Sequence, residues 1–331
     1  METNLRPSPL DLRRAALPRL VSGWSAALIL LLEFGFFALL LAPHSGGPHT
    51  FANWGNVSLI LKYSSIYGIG AIGAAMIIGA GGIDLAPGAV IALASVVTGH
   101  LFVIEGWPLW SASLAGLVVG CASGALAAVL VVAVNLPPFI ATLGVMGMAR
   151  GAAFLITEGR FYDLSQRLAA RTAPLGIPLP AWPGLVMLLF ATVFQFVMVR
   201  TALGRHILAT GGNEVAARYA GVHVGRVKTF VYVIGGILSA LAGVVLAVVQ
   251  GQGKADLATG YELDIIAAAV VGGASLSGGR ASVVGAVIGS LIFGVLRNAL
   301  AQIPGGTFAD RLILGVAVVV IVVMDRLATR E

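Results

Sequence analysis

The chain has 331 residues, of which 58% are hydrophobic and only 10% are charged, and its net charge is +6. A soluble domain carries about 25% charged residues, so the composition excludes an ordinary soluble enzyme and indicates a polytopic membrane protein. The single Cys121 excludes an intrachain disulfide. No basic run is interleaved with aromatic residues, so the positive charge does not indicate a nucleic-acid partner and fits membrane topology better.

Apolar stretches long enough to cross a ~30 Å hydrocarbon core recur along the whole chain. We expect an all-α membrane protein of ten spans with short broken or re-entrant turns, at residues 22–42, 57–80, 85–104, 109–133, 139–157, 182–200, 228–250, 263–276, 281–301 and 309–325. An even number of spans places both termini on one side. Twelve basic residues then fall on the inner side against five on the outer side, which favours cytoplasmic termini.

This arrangement divides the chain into an N-terminal cytoplasmic tail (1–21), a transmembrane domain (22–325) and a C-terminal cytoplasmic tail (326–331). The first apolar run is long enough to span, so we interpret it as a retained helix and not as a cleaved signal. Within the transmembrane domain, a polar loop at 201–227 interrupts two apolar spans and is predicted to be cytoplasmic.

Two short turns share the pattern Gly-Gly-x-x-Leu-x-x-Gly, "GGIDLAPG" at 81–88 and "GGASLSGG" at 272–279. The pattern alone does not decide whether the chain contains an internal repeat. In the first turn, Gly81 and Gly82 precede Asp84, whose carboxylate either caps the helix that starts near Leu85 or contacts a transported solute. In "GYELDII", Glu262 and Asp264 are expected at the outer mouth, where they cap the next span, line the entrance or meet a partner.

Three charged residues fall inside apolar spans: Glu33, Arg150 and Arg297. A charge at the centre of an inserted helix costs about 2.5–3.5 kcal/mol on insertion scales, so each should face protein or water. A Glu33 pair with either arginine is one way to meet that requirement.

The polar loop contains "NEVAARYAG", which has the signals of a short helix at both ends. Asn213 is a good N-cap, Glu214 and Arg218 match the helix dipole, and Gly221 suits a left-handed C-cap. Ala216, Ala217 and Ala220 would offer small surfaces, with Val215 and Tyr219 one turn apart. A helix this short is marginal in water, so it needs a surface to dock against. The alternative is a capped helix lying on the bilayer.

Four stretches resemble the membrane permease subunit of ribose-type ABC importers: "GGIDLAPGAVIAL", "NLPPFIATLGVMGMARG", "TALGRHILATGGNEVAARYAGV" and "GYELDIIAAAVVGGASLSGGRASVVGAVIGSLIFGVL". Arg150 matches the family pattern, whereas Glu33 and Arg297 depart from it. The resemblance implies a channel of two permeases, identical or different, in the bacterial cytoplasmic membrane and its lipids. It also implies a cytoplasmic ABC ATPase, an extracytoplasmic solute-binding protein and a small polar solute such as a monosaccharide or polyol. It identifies the helix at Asn213–Gly221 with the one that docks into the ATPase.

No enzyme motif is present: there is no phosphate loop and no His-Glu-x-x-His. We therefore expect no catalytic or metal-ligating residue in this chain, no cofactor, and ATP and Mg²⁺ only in the partner ATPase. Related permeases for nucleosides or branched-chain amino acids remain open, and the sequence does not choose the solute. A secondary transporter coupled to ions through carboxylates such as Glu33 and Asp84 is the alternative from another class.

Overall fold

The computed structural model describes residues 26–41, 51–169 and 182–303, with scattered residues between 305 and 316. The expected terminal tails and most of the last expected span lie outside the described residues. The helices are α1 (Ala26–Leu41), α2 (Trp54–Gly79), α3 (Pro87–Val103), α4 (Leu109–Ala128), α5 (Pro138–Thr157), α6 (Ser165–Ala169), α7 (Trp182–Arg200), α8 (Ala202–Gly212), α9 (Glu214–Tyr219), α10 (Val224–Gln250), α11 (Tyr261–Val271) and α12 (Val283–Gln302).

Six of these helices are long and apolar enough to cross a membrane: α2, α4 with the π-helical turn that continues it (Val129–Ala133), α5, α7, α10 and α12. The helices α1 and α3 are apolar but shorter, and α11 has 11 residues. The all-α, multi-pass architecture predicted from the sequence is confirmed, whereas the count of ten spans and the side of each terminus stay predictions.

Contacts between loops define two ends of the helix bundle. At one end, α8 lies against the turn after α2 and the turn before α12. At the other end, the antiparallel strands β1 (Phe161–Asp163) and β2 (Gln252–Lys254) pair with each other, and His100 at the end of α3 contacts Tyr162. The loop predicted to be cytoplasmic and the loops predicted to be external therefore lie at opposite ends.

Glycines allow the central helices to approach closely. A Cβ on Gly236 of α10 would lie 2.8 Å from the backbone nitrogen of Gly124 in α4, and a Cβ on Gly73 of α2 would lie 3.0 Å from Cα of Gly235. In a membrane, where lipid is as apolar as the helix surface, such close packing is a main source of helix association. The long helices α2 and α10 therefore cross at the centre of the bundle.

The chain repeats one order of elements in two opposite orientations. Helix α2 is followed by a non-helical segment and then by α3, and the sequence "DLAPG" (84–88) runs from the end of that segment into the first turn of α3. Helix α10 is followed by a non-helical segment that contains "DLATG" (256–260) and then by α11. The first segment starts at the α8 end and the second starts at the β1–β2 end. They meet inside the bundle, where a Cβ on Gly88 would lie 2.6 Å from the carbonyl oxygen of Ala258.

This arrangement resolves the question of an internal repeat. The turns at 81–88 and 272–279, which share a glycine pattern, lie together at one end, as their contacts with Gly211 show. The repeated unit is instead the re-entrant segment with its Asp-Leu-Ala-x-Gly sequence. Each of the two long helices packs on the helices that follow the other one: α2 packs on α11 and α12, and α10 packs on α3 and α4.

Candidate functional site

The predicted short helix is present as α9 and is capped as expected. The side chain of Asn213 accepts a hydrogen bond from the backbone nitrogen of Ala216 at 2.9 Å, and Gly221 has a φ of +86°. Both caps are local interactions, which explains why the sequence alone predicted them. The helix ends one residue earlier than expected, with Ala220 as its C-cap.

The surface of α9 differs from the prediction at one alanine. Ala217 is buried against the rest of the chain, whereas Ala216 and Ala220 are exposed. The larger side chains point outward, since Val215 is 64% exposed and Tyr219 is 90% exposed. The idea that all three alanines form one small docking surface is therefore wrong for Ala217, because that methyl group packs inside this chain. The exposed face of α9 is formed by its larger side chains.

An ion pair joins α9 to α10. Oε2 of Glu214 lies 2.6 Å from Nζ of Lys228, and Oε1 lies 3.0 Å from Nη2 of Arg218 on α9 itself. The hydrogen bond from Lys228, helped by Arg218, holds the pKa of the Glu214 carboxyl below its usual range. Lys228 lies in the second turn of α10, so the pair links α9 to one of the two central helices.

This pair predicts a pH-dependent stability of α9. Because the pKa of Glu214 is lower in the folded chain, the pair stabilises α9 above the unfolded pKa of about 4.3 and is lost as pH falls through the folded value. We expect Glu214→Gln to lower the free energy of local opening of α9, measured by hydrogen exchange of its amides at pH 7. The decrease should be less than about 1 kcal/mol, because the pair is partly exposed. The difference from the parent chain should vanish once Glu214 is protonated; a difference that persisted there would contradict the ion pair as its cause.

A junction of glycines lies directly under α8. A Cβ on Gly211 would lie 2.7 Å from the backbone nitrogen of Gly279 and 2.8 Å from that of Gly81, and it would also collide with the carbonyl oxygen of Gly79. Gly279 donates a hydrogen bond to that same carbonyl at 3.1 Å. The backbone of α8 therefore contacts both glycine turns without an intervening side chain. Sequence reasoning missed this role of Gly211, because no local pattern marks it.

Asp84 is buried in the first re-entrant segment, and its position corrects the predicted cap. The helix begins at Pro87 with Ala86 as N-cap, and Oδ1 of Asp84 accepts a hydrogen bond from the backbone nitrogen of Ala86 at 2.8 Å. The carboxylate thus satisfies an amide just before α3, not one in its first turn. Beside this segment, the cavity lined by Gly82 and Tyr232 has a volume of about 10 Å³, which is room for one water molecule. In this conformation the turn holds no space for a sugar, and a solute contact of Asp84 stays a prediction.

Arg150 of α5 donates hydrogen bonds to backbone carbonyl groups of the second re-entrant segment. Its Nη1 donates to the carbonyl oxygens of Ala255 at 2.6 Å and Leu257 at 2.8 Å. Non-helical backbone inside a membrane needs such partners, because no water is available there. The expectation that Arg150 faces protein is therefore confirmed, and the contact explains what the arginine does.

We expect Arg150→Met to destabilise the chain by about 2 kcal/mol or more, since two carbonyl groups lose their charged donor. The decisive measurement is the thermal stability of the detergent-solubilised protein, with Arg160→Met, an exposed arginine outside the spans, as the matched control. Arg150→Lys should recover part of the loss, because an ammonium group still donates. Equal stability of Arg150→Met and Arg160→Met would show that the two carbonyls do not depend on this arginine.

Neither Glu262 nor Asp264 caps α11, which corrects that part of the prediction, whereas their place at the outer mouth stays a prediction. Glu262 packs against Gly88 at the start of α3, inside the bundle. Asp264 is buried and its Oδ2 lies 2.8 Å from Nη2 of Arg297 on α12. Both side chains lie among the helices because residues 255–260 enter the bundle as turns before α11 begins. Gly260, with a φ of +90°, is the N-cap of α11, so neither acidic residue caps that helix.

The pairing considered for Glu33 is also wrong. Arg297 binds Asp264 and Arg150 binds backbone carbonyls, while Oε2 of Glu33 is buried without a hydrogen-bond partner among the described residues. The charge of Arg297 is thus balanced by Asp264 on a neighbouring helix.

Comparison with known proteins matches the chain to one family and to several curated transporters. Residues 56–324 match the family model described as branched-chain amino acid transport system / permease component. The ribose import permease protein of Haemophilus influenzae is 35% identical over 277 residues, covering 82% of this chain and 84% of that protein. The D-allose transport system permease protein of Escherichia coli K12 is 33% identical, covering 86% and 87%.

A third relative matches a similar length of the chain. The L-arabinose transport system permease protein of Escherichia coli K12 is 34% identical over 280 residues, covering 84% of this chain and 83% of that protein. No solved structure matches the chain. The residues that match the family model include all but the first two residues of α2, the whole of α3 to α12 and both re-entrant segments. This multi-pass membrane protein therefore belongs to the family of branched-chain amino acid transport system permease components, and within it the chain is similar to ABC permeases for sugars.

Proposed function

We propose that the chain is the channel-forming permease subunit of an ATP-driven importer that carries a monosaccharide or a related polyol across the bacterial cytoplasmic membrane. Two such permease subunits form the channel, a cytoplasmic ATPase drives it and an extracytoplasmic binding protein delivers the solute. The relatives named for ribose, allose and arabinose support a sugar over a nucleoside or an amino acid.

The observation that carries the proposal is the exposed face of α9. Tyr219 and Val215 stand out from the end of the bundle, while Glu214 ties the helix to α10 and Gly211 sets α8 on both glycine turns. An exposed aromatic residue on a rigidly held helix is a common anchor in protein interfaces. A displacement of α9 would reach α10 and both glycine turns through these contacts. We assign this face to the ATPase, at the cytoplasmic end.

Reconstitution into proteoliposomes tests the function. With its ATPase and binding protein, the chain should accumulate radiolabelled D-ribose, D-allose or L-arabinose only when ATP is supplied on the side of α9. The permease alone should not accumulate any of them in a proton or sodium gradient. Gradient-driven accumulation by the permease alone would overturn the proposal and favour an ion-coupled carrier that uses the buried carboxylate of Glu33.

A further inference from the structure

A cavity of about 250 Å³ lies between α2 and α12, in the half of the bundle away from α8 and α9. Its polar lining comes from Tyr63, Tyr67, Arg297 and Asn298, and leucine, isoleucine, glycine and alanine residues form the rest. Pockets for drug-sized ligands measure about 300–1,000 Å³, so this volume suits a smaller solute. A few polar groups in a mostly apolar wall are also typical of a small-molecule site.

The charged groups beside the cavity are the Arg297–Asp264 ion pair and Lys62, whose Nζ lies 5.8 Å from the ring centroid of Tyr63. The guanidinium of Arg297 forms an ion pair with the carboxylate of Asp264, and its Nη1 donates a hydrogen bond to the hydroxyl of Tyr67. The guanidinium also lies 5.0 Å from the ring centroid of Tyr67 and 5.9 Å from that of Tyr261, within range of a cation–π interaction. Because Asp264 neutralises Arg297, this pair does not by itself attract an anion. Its hydrogen-bonding groups suit a solute that is polar and uncharged.

A polar chain connects the cavity with the nearer end of the bundle. Nδ2 of Asn298 donates to Oδ1 of Asn56 at 2.9 Å, and Nε2 of Gln302 donates to Oδ1 of Asn298 at 2.9 Å. The exposed face of α7 differs completely, since its outward side chains include Leu185, Leu189 and Phe196. Charged and amide groups inside a membrane face protein or a water-filled path, and not lipid. The polar groups of the cavity are therefore continuous with a polar end of the bundle, in contrast to the apolar outer side of α7.

We propose that this cavity is a solute-contact site on the translocation path, which takes an uncharged, hydroxyl-rich solute of monosaccharide size. Arg297 and Asn298 hydrogen-bond its hydroxyl groups, and the exposed ring of Tyr63 packs against its C–H face. This inference rests on the proposed function, because it names the residues that would meet the sugar in the permease itself.

Thiol labelling tests whether the cavity is hydrated and occupied by solute. In a Cys121→Ala background, Tyr63→Cys should react with the charged, membrane-impermeant reagent methanethiosulfonate ethylsulfonate in the reconstituted complex. A saturating concentration of the sugar that the parent transports should slow the reaction at least about tenfold. Leu189→Cys, on the apolar face at a similar distance from the start of its helix, is the control and should stay unlabelled. No reaction at position 63, or a reaction unaffected by the sugar, would overturn the proposal.

Transport kinetics test the role of the charged pair. Arg297→Gln alone leaves Asp264 buried without its partner, so the double variant Arg297→Gln/Asp264→Asn is the informative one. It should raise the KM for the transported sugar about tenfold or more, as expected when a charged hydrogen-bond donor is lost. Leu189→Ala should leave the KM unchanged. ATPase co-purification confirms that the double variant assembles, and an unchanged KM in an assembled complex would overturn the site.

The two proposals fail in different ways. If the parent complex takes up none of D-ribose, D-allose and L-arabinose with ATP, the proposed function fails for these sugars. If the parent takes up one of them while the variants keep its KM and its labelling rate, only the solute-contact site fails.

Discussion

Replacing Gly211 by alanine is expected to abolish ATP-driven uptake and to destabilise the chain. The added methyl group would fall between the backbones of Gly79, Gly81 and Gly279, and none of these can move without shifting a turn. Overpacking of this kind costs about 1–3 kcal/mol. Since α8 precedes the exposed helix α9, the displacement would also change the position of α9 relative to the membrane helices.

The neighbouring glycine gives a matched control. A Cβ on Gly212 would approach only Cα of Gly279, at 3.8 Å, which is an ordinary contact. Gly212→Ala should therefore keep both uptake and thermal stability, although it adds the same methyl group one residue away. The measurements are ATP-dependent sugar uptake in proteoliposomes and thermal stability in detergent. Equal behaviour of the two variants would show that the backbone junction under α8 does not transmit the movement.

Tyr219→Ala is expected to release the ATPase while leaving the permease folded. The side chain is 90% exposed in the isolated chain, so its removal should change the stability by less than about 0.5 kcal/mol. If α9 is the ATPase contact, loss of an aromatic anchor there should cost about 2 kcal/mol or more of binding, or about thirtyfold in affinity. Val215→Asp should act in the same direction, because it places a charge in the same contact.

An exposed aromatic residue at the opposite end serves as the control for this prediction. Phe161 on β1 is 57% exposed, and Phe161→Ala should not affect ATPase co-purification or solute-stimulated hydrolysis. Ala217→Arg is not a suitable probe, because Ala217 is buried within this chain and the change would disturb α9 itself. If Tyr219→Ala and Val215→Asp both retained the ATPase at parental affinity, α9 would be a helix that rests on the bilayer surface.

The expected caps and spans follow from interactions between residues close in sequence. Asn213 meets an amide three residues ahead, and Gly221 adopts a left-handed φ that its own backbone allows, so both could be predicted before any fold was known. The long apolar stretches similarly predict membrane helices, because the hydrocarbon thickness sets their length. The family resemblance added the docking role of the short helix.

The pairing of distant residues needed the tertiary structure. Arg150 meets Ala255 and Leu257 across more than a hundred residues, and Arg297 finds Asp264 on another helix. No local spacing marks such pairs. The position of Asp264 depends on the re-entrant segment before α11, which brings its side chain against α12.

The sequence by itself determined the class of protein, most of its helices and the caps of α9, because these depend on composition and on neighbours a few residues apart. The tertiary structure alone decided which faces are buried. Helices α2, α3 and α4 differ little in hydrophobicity from one side to the other, so no periodicity distinguishes a protein-facing from a lipid-facing side chain. In a membrane, that choice is made by close packing and by the few polar groups that must find partners, and both depend on which helices the fold brings together.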